Sequence, residues 1–293
     1  MSAEAETVDR YAVVGNPVAH SLSPRIHQTF ARQTQQTIDY QAIELSDDHF
    51  EAQLLDLQQN GFLGANVTIP FKQRAWALCD KRSPRAEDAG AVNTLIFTPD
   101  GIIAGDNTDG VGLTRDLVHN HRALIRHRKI LILGAGGAAR GVLAPLLILN
   151  PASITIANRN LEKAEQLVES FHSIGDVRAC GYDDLGAEKF DLIINATGAG
   201  LNHEVPPVPD EILGINSICY DMMYDIESAT AFVDWAQTRG ASLAIDGLGM
   251  LVEQAAESFY IWRGLRVDTA AVISELRRGA RSVDLTSDTT GHP

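Results

Sequence analysis

At 293 residues, 45% of them apolar, the chain has the length for about two domains with real cores. Its formal net charge is −14, from 24 Lys and Arg against 38 Asp and Glu, and no dense basic block occurs. That balance argues against nucleic acid or an anionic membrane surface as partner. Three widely spaced cysteines (Cys79, Cys180, Cys219) show no metal-ligand or C-x-x-C pattern and read as reduced core thiols of a cytoplasmic protein. No apolar run is long enough to span a membrane, and the acidic start MSAEAETVDR does not read as a signal peptide. His119, His121 and His127 stand among Arg122, Arg126 and Arg128, a solvated connector rather than a metal site.

In chain order, residues 11–15 (YAVVG) read as a short strand, broken by Asn16-Pro17. Ser23 followed by Pro24 makes a good helix start, a hydroxyl N-cap with proline at N1. One cap suffices, so Ser21 has no structural task. Two hydroxyls at i and i+2 beside a helix N-terminus also suit a small polyol or carboxylate. Residues 38–45 read as strand and 47–60 as a helix stopping before Gly61. In 64–69 (GANVTI), read as a strand, Asn66 and Thr68 alternate onto one face.

Pro70 opens a helix and places Lys72 in its first turn, where the positive end of the helix dipole repels it. The same field favours the neutral amine, which suits a group that gives and takes protons. The plain alternative is an exposed lysine tolerating a small cost. Residues 91–97 and 102–104 read as a hairpin across Pro99-Asp100-Gly101, with Asn93 inside its first strand. The glycine-rich stretch 105–112 (GDNTDGVG) then enters a helix for which Asp109 is placed as N-cap.

The stretch 129–141 (KILILGAGGAARG) divides the chain into two jobs. Residues 130–133 are the unbroken apolar run of a strand buried on both faces of a parallel sheet. Gly134, Gly136, Gly137, Ala138 and Ala139 follow in the G-x-G-x-x-G/A spacing of a dinucleotide-binding turn. Gly134 allows the tight turn, Gly136 lets the backbone approach a pyrophosphate, and Ala139 lets the next helix pack close. Helix N–H groups and the positive dipole end would face the phosphates. The alternative for such glycines is a tight turn and nothing more.

Pro145 should kink the helix after this turn. Residues 153–157 (SITIA) read as the next strand, ending in Asn158-Arg159. Arg159 lies 23 residues beyond Gly136, where an NAD enzyme places an acidic residue against the ribose and an NADP enzyme an arginine against the 2′-phosphate. With Lys163 one turn further, the cofactor reads as NADP(H). Beyond, 161–172 reads as helix, 190–196 as strand ending at Thr197, and 217–221 and 242–245 as strands around a helix near 228–238. Residues 249–262 carry Leu251, Val252, Ala255, Phe259 and Trp262 on one helical face with Gln254 at its edge. Residues 268–277 read as a last helix, and 279–293 as a disordered tail.

The ordered set SLSP (21–24), NVTIPFK (66–72), AVNT (91–94), GDNTDG (105–110), the glycine turn, Asn158-Arg159, Asn195-Ala-Thr197, Tyr220-Asp-Met222 and DGLGMLVEQ (246–254) resembles the shikimate dehydrogenases. The resemblance covers roughly 10–278 and implies NADP-dependent reduction of 3-dehydroshikimate to shikimate. It implies further that Ser21 and Ser23 bind the substrate carboxylate, that Asn66, Thr68, Asn93 and Gln254 hold its hydroxyls with Tyr224 nearby, and that Lys72 and Asp109 form the catalytic pair. Gly134 to Ala139, Asn158, Arg159, Lys163, Thr197, Met222 and Gly247 would hold the cofactor. Relatives usually carry serines where this chain has Gly198 and Ala199, which removes any hydroxyl contact there.

The expected fold is α/β in two domains with a cleft between them. An α/β substrate domain would comprise 1–112 and 247–278, and a Rossmann-like doubly wound domain 113–246. No metal, membrane or nucleic acid is expected, and the assembly would be a monomer or homodimer. A quinate/shikimate enzyme using NAD or both cofactors and a catalytically idle NADP-binding sensor are the competing readings. Asn158-Arg159 speaks against NAD but not against quinate, and the intact Lys72 and Asp109 speak against the sensor.

Overall fold

The computed structural model describes the backbone at residues 8–172 and 174–287. The chain divides into two compact units. One comprises the chain up to Thr108 with Gln254–Thr269, the other Asp109–Glu253 with the chain from Ala270 onward.

The first unit is built on a six-stranded sheet of β1 (Asp9–Gly15), β2 (Ile38–Glu44), β3 (Phe62–Val67), β4 (Lys81–Arg82), β5 (Thr94–Phe97) and β6 (Ile103–Asp106), in the order β2-β1-β3-β5-β6-β4. Helices α1 (Ser23–Gln33), α2 (Phe50–Gln59), α3 (Lys72–Leu78) and α4 (Pro84–Ala89) connect the strands. β1, β2 and β3 run parallel, and β5 and β6 form an antiparallel hairpin beside β3. Its core joins Ala12, Val14, Ala65, Val67 and Leu95 to Phe50 and Phe71, whose rings stack at 4.4 Å. Each of these fully buried phenylalanines contributes about 2–3 kcal/mol by area removed from water.

Register gathers the polar residues at one edge. Val14 pairs with Val67, Asn66 with Thr94, and Thr94 with Asp106. The carboxyl ends of β1, β3 and β6 and the amino end of β5 therefore lie side by side. Thr68 donates from its backbone to Val14, and Asn16 to Ile69, closing the loops over that edge.

The local expectations shift in several places. β3 ends at Val67, so Thr68 lies just past it, and Asn93 precedes β5 rather than sitting inside the strand. Ser23 is the first residue of α1 and Leu22 its N-cap, with no side-chain cap bond. Instead Ser21 Oγ accepts from the Ser23 backbone N–H at 3.2 Å, while Ser23 is buried with its hydroxyl beside the Tyr40 phenol. Pro70 lies in a turn closed by the Phe71 N–H to the Thr68 carbonyl, and α3 begins at Lys72. β4 and α4 escape a reading by periodicity because they are two and six residues long.

The second unit carries β7 (Lys129–Leu133), β8 (Ser153–Ala157), β9 (Val177–Cys180), β10 (Phe190–Asn195), β11 (Leu213–Asp221) and β12 (Leu243–Ile245). All six are parallel, in the order β12-β11-β10-β7-β8-β9. Numbered from β7, this is the 3-2-1-4-5-6 order of the doubly wound dinucleotide fold. Its helices are α5 (Asp109–Arg115), α6 (Gly137–Ile148), α7 (Leu161–Glu169), α8 (Ala231–Thr238), α9 (Leu248–Arg263), whose second half belongs to the first unit, and α10 (Thr269–Ser287). Pro145 lies within α6, which continues past it to Ile148. β9 (VRAC) is too short and too mixed to show as a strand in sequence.

The unit borders fall at 108/109 and 253/254 rather than at 112/113 and 246/247. Asn120 Nδ2 donates to Glu253 at 3.1 Å, holding the first turns of α9, and Arg277 donates to buried Asp246 at 2.7 Å, holding α10. Both place these segments with the second unit. The last helix also runs to Ser287, through most of the stretch read as tail, because no proline interrupts it; 288–293 lie outside the described residues. Among the described residues no helix is long and apolar enough to cross a membrane, and no group of His, Cys, Asp and Glu could hold a metal ion.

Candidate active site

In the first unit Asn66, Asn93 and Gln254, three of the expected substrate residues, share one buried network. Asn66 Oδ1 accepts from Tyr40 at 2.7 Å, and its Nδ2 donates to the Asn93 carbonyl at 3.0 Å and to Ser258 Oγ at 3.0 Å. Asn93 Oδ1 accepts from the Thr108 backbone at 2.9 Å and from Thr94 Oγ1 at 2.9 Å. Asn93 Nδ2 donates to Thr108 Oγ1 at 2.9 Å and to Gln254 Oε1 at 3.2 Å. Asn66, Asn93 and Gln254 thus fix one another's rotamers, as a site reading several hydroxyls requires.

Tyr40, Thr94, Thr108 and Ser258 were not singled out from the sequence. Ser258 could have been, since it lies one turn beyond Gln254 on the same helix, and its hydroxyl meets Thr94 at 2.7 Å. Burial pushes the Tyr40 phenol well above its ordinary value, so it stays a neutral donor. His27 stacks on Tyr40 with ring centroids 4.2 Å apart and is fully buried. Neither His27 ring nitrogen has a hydrogen-bond partner among the described residues. Burial lowers its pKa to about 3, and the nearby Asn66, its amide protons committed elsewhere, opposes this only in part.

Lys72 is half-buried as the first residue of α3, one turn past Thr68, and its carbonyl accepts from the Val92 backbone at 2.9 Å. Asp109 is 9% exposed and is the first residue of α5 rather than the residue before it. It follows by one peptide bond the Thr108 that Asn93 holds. Lys72 lies in the first unit and Asp109 opens the second.

The second unit collects the expected cofactor residues at the carboxyl ends of its strands. Gly134 has φ +101°, a conformation side chains resist, and donates to the Ala157 carbonyl at 2.8 Å. A Cβ at Gly136 or Gly137 would meet nothing within 4 Å. The N-terminus of α6 has no side-chain cap, and Ala139 is fully buried against the sheet. Open backbone at a helix start is the cradle a pyrophosphate needs.

Asn158 Nδ2 donates to the Asn160 carbonyl at 2.8 Å, and Asn160 caps α7 through the Lys163 backbone. Arg159 and Lys163 are exposed and form no ion pair among the described residues. At the end of β10, Asn195 Oδ1 accepts from the Thr197 hydroxyl at 2.7 Å, and Asn195 Nδ2 donates to buried Asp221 at 3.0 Å. Burial raises the Asp221 carboxyl above its ordinary value despite donors from Thr230, Met223 and Asn195. Met222 donates from its backbone to the Asn195 carbonyl, and a Cβ on Gly247 would lie 2.3 Å from the Met222 carbonyl oxygen. Tyr224 is half-buried just past β11, and burial raises its phenol.

A doubly wound sheet with this turn, in a chain that also carries a unit of mutually fixed amides and hydroxyls, defines a nicotinamide-dinucleotide dehydrogenase acting on a small polar substrate. Family models match in three stretches: shikimate dehydrogenase substrate binding domain at 13–95, shikimate / quinate 5-dehydrogenase at 116–203, and shikimate 5′-dehydrogenase C-terminal domain at 247–277. The chain is 52% identical to the shikimate dehydrogenase (NADP(+)) of Alkalilimnicola ehrlichii, over 92% of this chain and 98% of that one. An Ael1 enzyme from Pseudomonas putida of solved structure matches with a TM-score of 0.87 at 46% identity, covering 92% and 98% of the two chains. The shikimate 5-dehydrogenase of Thermus thermophilus, solved with NADP(H) and shikimate, matches with a TM-score of 0.82 at 32% identity, covering 93% and 100%. The chain belongs to the shikimate dehydrogenase family.

Proposed function

We propose that the chain interconverts 3-dehydroshikimate and shikimate with NADP(H), and that Lys72 and Asp109 are its proton-transfer pair. It is an NADP-dependent oxidoreductase of aromatic amino-acid biosynthesis. The nicotinamide, when bound, supplies the hydride. The second unit's residues fit such a cofactor: the open Gly136 and Gly137 backbone would take the pyrophosphate, and the exposed Arg159 and Lys163, in no ion pair among the described residues, would take the 2′-phosphate.

Reduction of the ketone builds negative charge on its oxygen. The Lys72 ammonium stabilises that charge and delivers the proton, and the Asp109 carboxylate holds the ammonium in place. Asn66, Asn93, Thr68 and Gln254 hold the ring hydroxyls, Tyr224 lines the same substrate, and Ser21 and Ser23 hold the carboxylate. Thr197, Met222 and Gly247 line the nicotinamide end, and Asn158 the adenosine end. The protein works in the cytoplasm as a monomer or homodimer.

The observation that carries the reading is the Asn66–Asn93–Gln254 network, three residues from distant stretches that meet in one place. Absorbance at the NADPH band, with shikimate and quinate each paired with NADP and NAD, tests it. Turnover should be greatest with shikimate and NADP. Equal turnover with quinate and NAD would favour the quinate enzyme.

A further inference from the structure

We propose that Arg85 is a positioning residue for the substrate site, fastening together the segments by which the chain leaves and re-enters the first unit. The inference rests on the shikimate reading above. Arg85 stands on α4, in a stretch to which no role has been assigned. Its Nε donates to Asp106 Oδ1 at 2.6 Å and its Nη2 to Asp106 Oδ2 at 2.8 Å, a two-pronged pair. The same guanidinium donates to Glu257 Oε1 from Nη1 at 3.2 Å and from Nη2 at 3.3 Å. One cation therefore bridges the end of β6 and the middle of α9.

What those two points carry gives the bridge its meaning. Asp106 lies two residues before Thr108, and Glu257 lies three residues, about one helical turn, beyond Gln254. Thr108 and Gln254 are the two groups that Asn93 Nδ2 holds, at 2.9 and 3.2 Å. Asp109, the proposed partner of Lys72, is the next residue after Thr108. The Arg85 fork thus sets the spacing of the segments that place Thr108, Gln254 and Asp109.

Without the guanidinium, two largely buried carboxylates face the same space. The side chains of Asp106 and Glu257 are 13% and 9% exposed. Like charges in such surroundings repel, and the segments carrying them should part. The fold should survive, because each carboxylate keeps other donors. Asp106 Oδ1 also accepts from Ser83 at 2.5 Å and from the Asn107 backbone at 2.7 Å, and Glu257 Oε2 accepts from Arg266 at 3.0 Å. What is lost is the fixed separation. A lysine can supply charge there, but not the fork.

The test is steady-state kinetics on the full chain, varying shikimate at saturating NADP and then NADP at saturating shikimate. Arg85→Ala should raise the shikimate KM and lower kcat, each on the order of tenfold, the scale of a small misplacement of substrate-holding groups. The NADP KM should stay at the wild-type value. Arg85→Lys should recover part of the loss, and adding Glu257→Gln to Arg85→Ala should recover part by removing the repulsion. Arg239→Ala serves as control, because it breaks an ion pair to Asp210 in the second unit that lies on neither segment; it should lower the melting temperature and leave both KM values unchanged.

A melting-temperature loss in Arg85→Ala with wild-type shikimate KM and kcat would overturn the proposal. So would an equal rise in both KM values. Should Arg85→Ala fail to fold, Glu257→Gln alone decides: a raised shikimate KM with unchanged NADP KM supports the clamp, and unchanged kinetics overturn it. Wild-type protein inert toward shikimate with NADP would show instead that the functional reading has failed, and the clamp's role with it.

Discussion

The two units build their proposed binding residues in opposite ways. In the first, polar side chains are committed to one another: Asn93 alone joins Thr94, Thr108 and Gln254, and it is 2% exposed. In the second, the proposed phosphate site is open backbone, with nothing within 4 Å of a Cβ at Gly136, and the exposed Arg159 and Lys163 form no ion pair among the described residues. The difference follows from what is read. A ring with several hydroxyls is distinguished only by donors and acceptors at fixed positions, which must be oriented before the substrate arrives. A phosphate is diffuse charge, satisfied by N–H groups, a helix end and flexible cations, so space matters more than rigidity.

The largest expected effect separates chemistry from both kinds of binding. Lys72→Ala should lower kcat by about two or more orders of magnitude, the range of a lost acid–base group, with little change in either KM. Near-normal kcat would remove Lys72 from the proposed pair. Asn93→Ala tests the committed side of the comparison. It leaves Thr94, Thr108 and Gln254 short of a partner, at a cost of about 1–3 kcal/mol for each group left unsatisfied. Denaturant midpoint and shikimate KM should therefore worsen together. A changed KM at full stability would mean that the network is not pre-organised.

Gly136→Ala tests the open side and should show the reverse. Its φ of −89° suits any residue and the space is empty, so stability should hold or rise slightly. The methyl group would stand where the pyrophosphate must approach, and the NADP KM should rise about tenfold or more. Thermal melting and NADP titration of one variant decide the matter; a stable protein with unchanged NADP affinity would disqualify the turn as the phosphate site.

The second unit was the more legible in sequence for the same physical reason. Backbone sites need glycines at fixed spacing, and 134–139 announces itself together with the strand before it. The first unit's network depends on register. Nothing local to Thr94 or Tyr40 says that Asn66 will pair beside one and accept from the other. Ser23 misled because Ser-Pro is a good helix start in isolation, whereas burial against Tyr40 claims its hydroxyl instead. Arg85 was invisible, because an arginine on a short helix looks solvated until Asp106 and Glu257 are placed around it.

The smallest expected effect concerns the cost of that committed interior. His27 is fully buried, stacked on Tyr40 and surrounded by Phe30, Phe259 and Trp262, and burial lowers its pKa to about 3. Among the described residues the titratable ring stacked against it, Tyr40, is held neutral. In the unfolded chain the imidazole takes up a proton as pH falls below about 6.5, while in the folded chain it does not until about pH 3. Between those values the unfolded state binds the extra proton, so stability falls on acidification by up to about 1.4 kcal/mol per pH unit. Above pH 6.5 both states are neutral and the contribution is constant. Asp221 in the second unit acts with the opposite sign: its raised pKa means that acidification through that value relieves a buried charge. His27→Phe keeps a flat ring in the stack and removes the titration. Its denaturant midpoint should fall less steeply than that of the wild type between pH 6.5 and 5, whatever the offset at pH 7. Parallel curves would mean that His27 finds a proton-accepting partner on acidification, and that the first unit's interior is less rigidly committed than its hydrogen bonds imply.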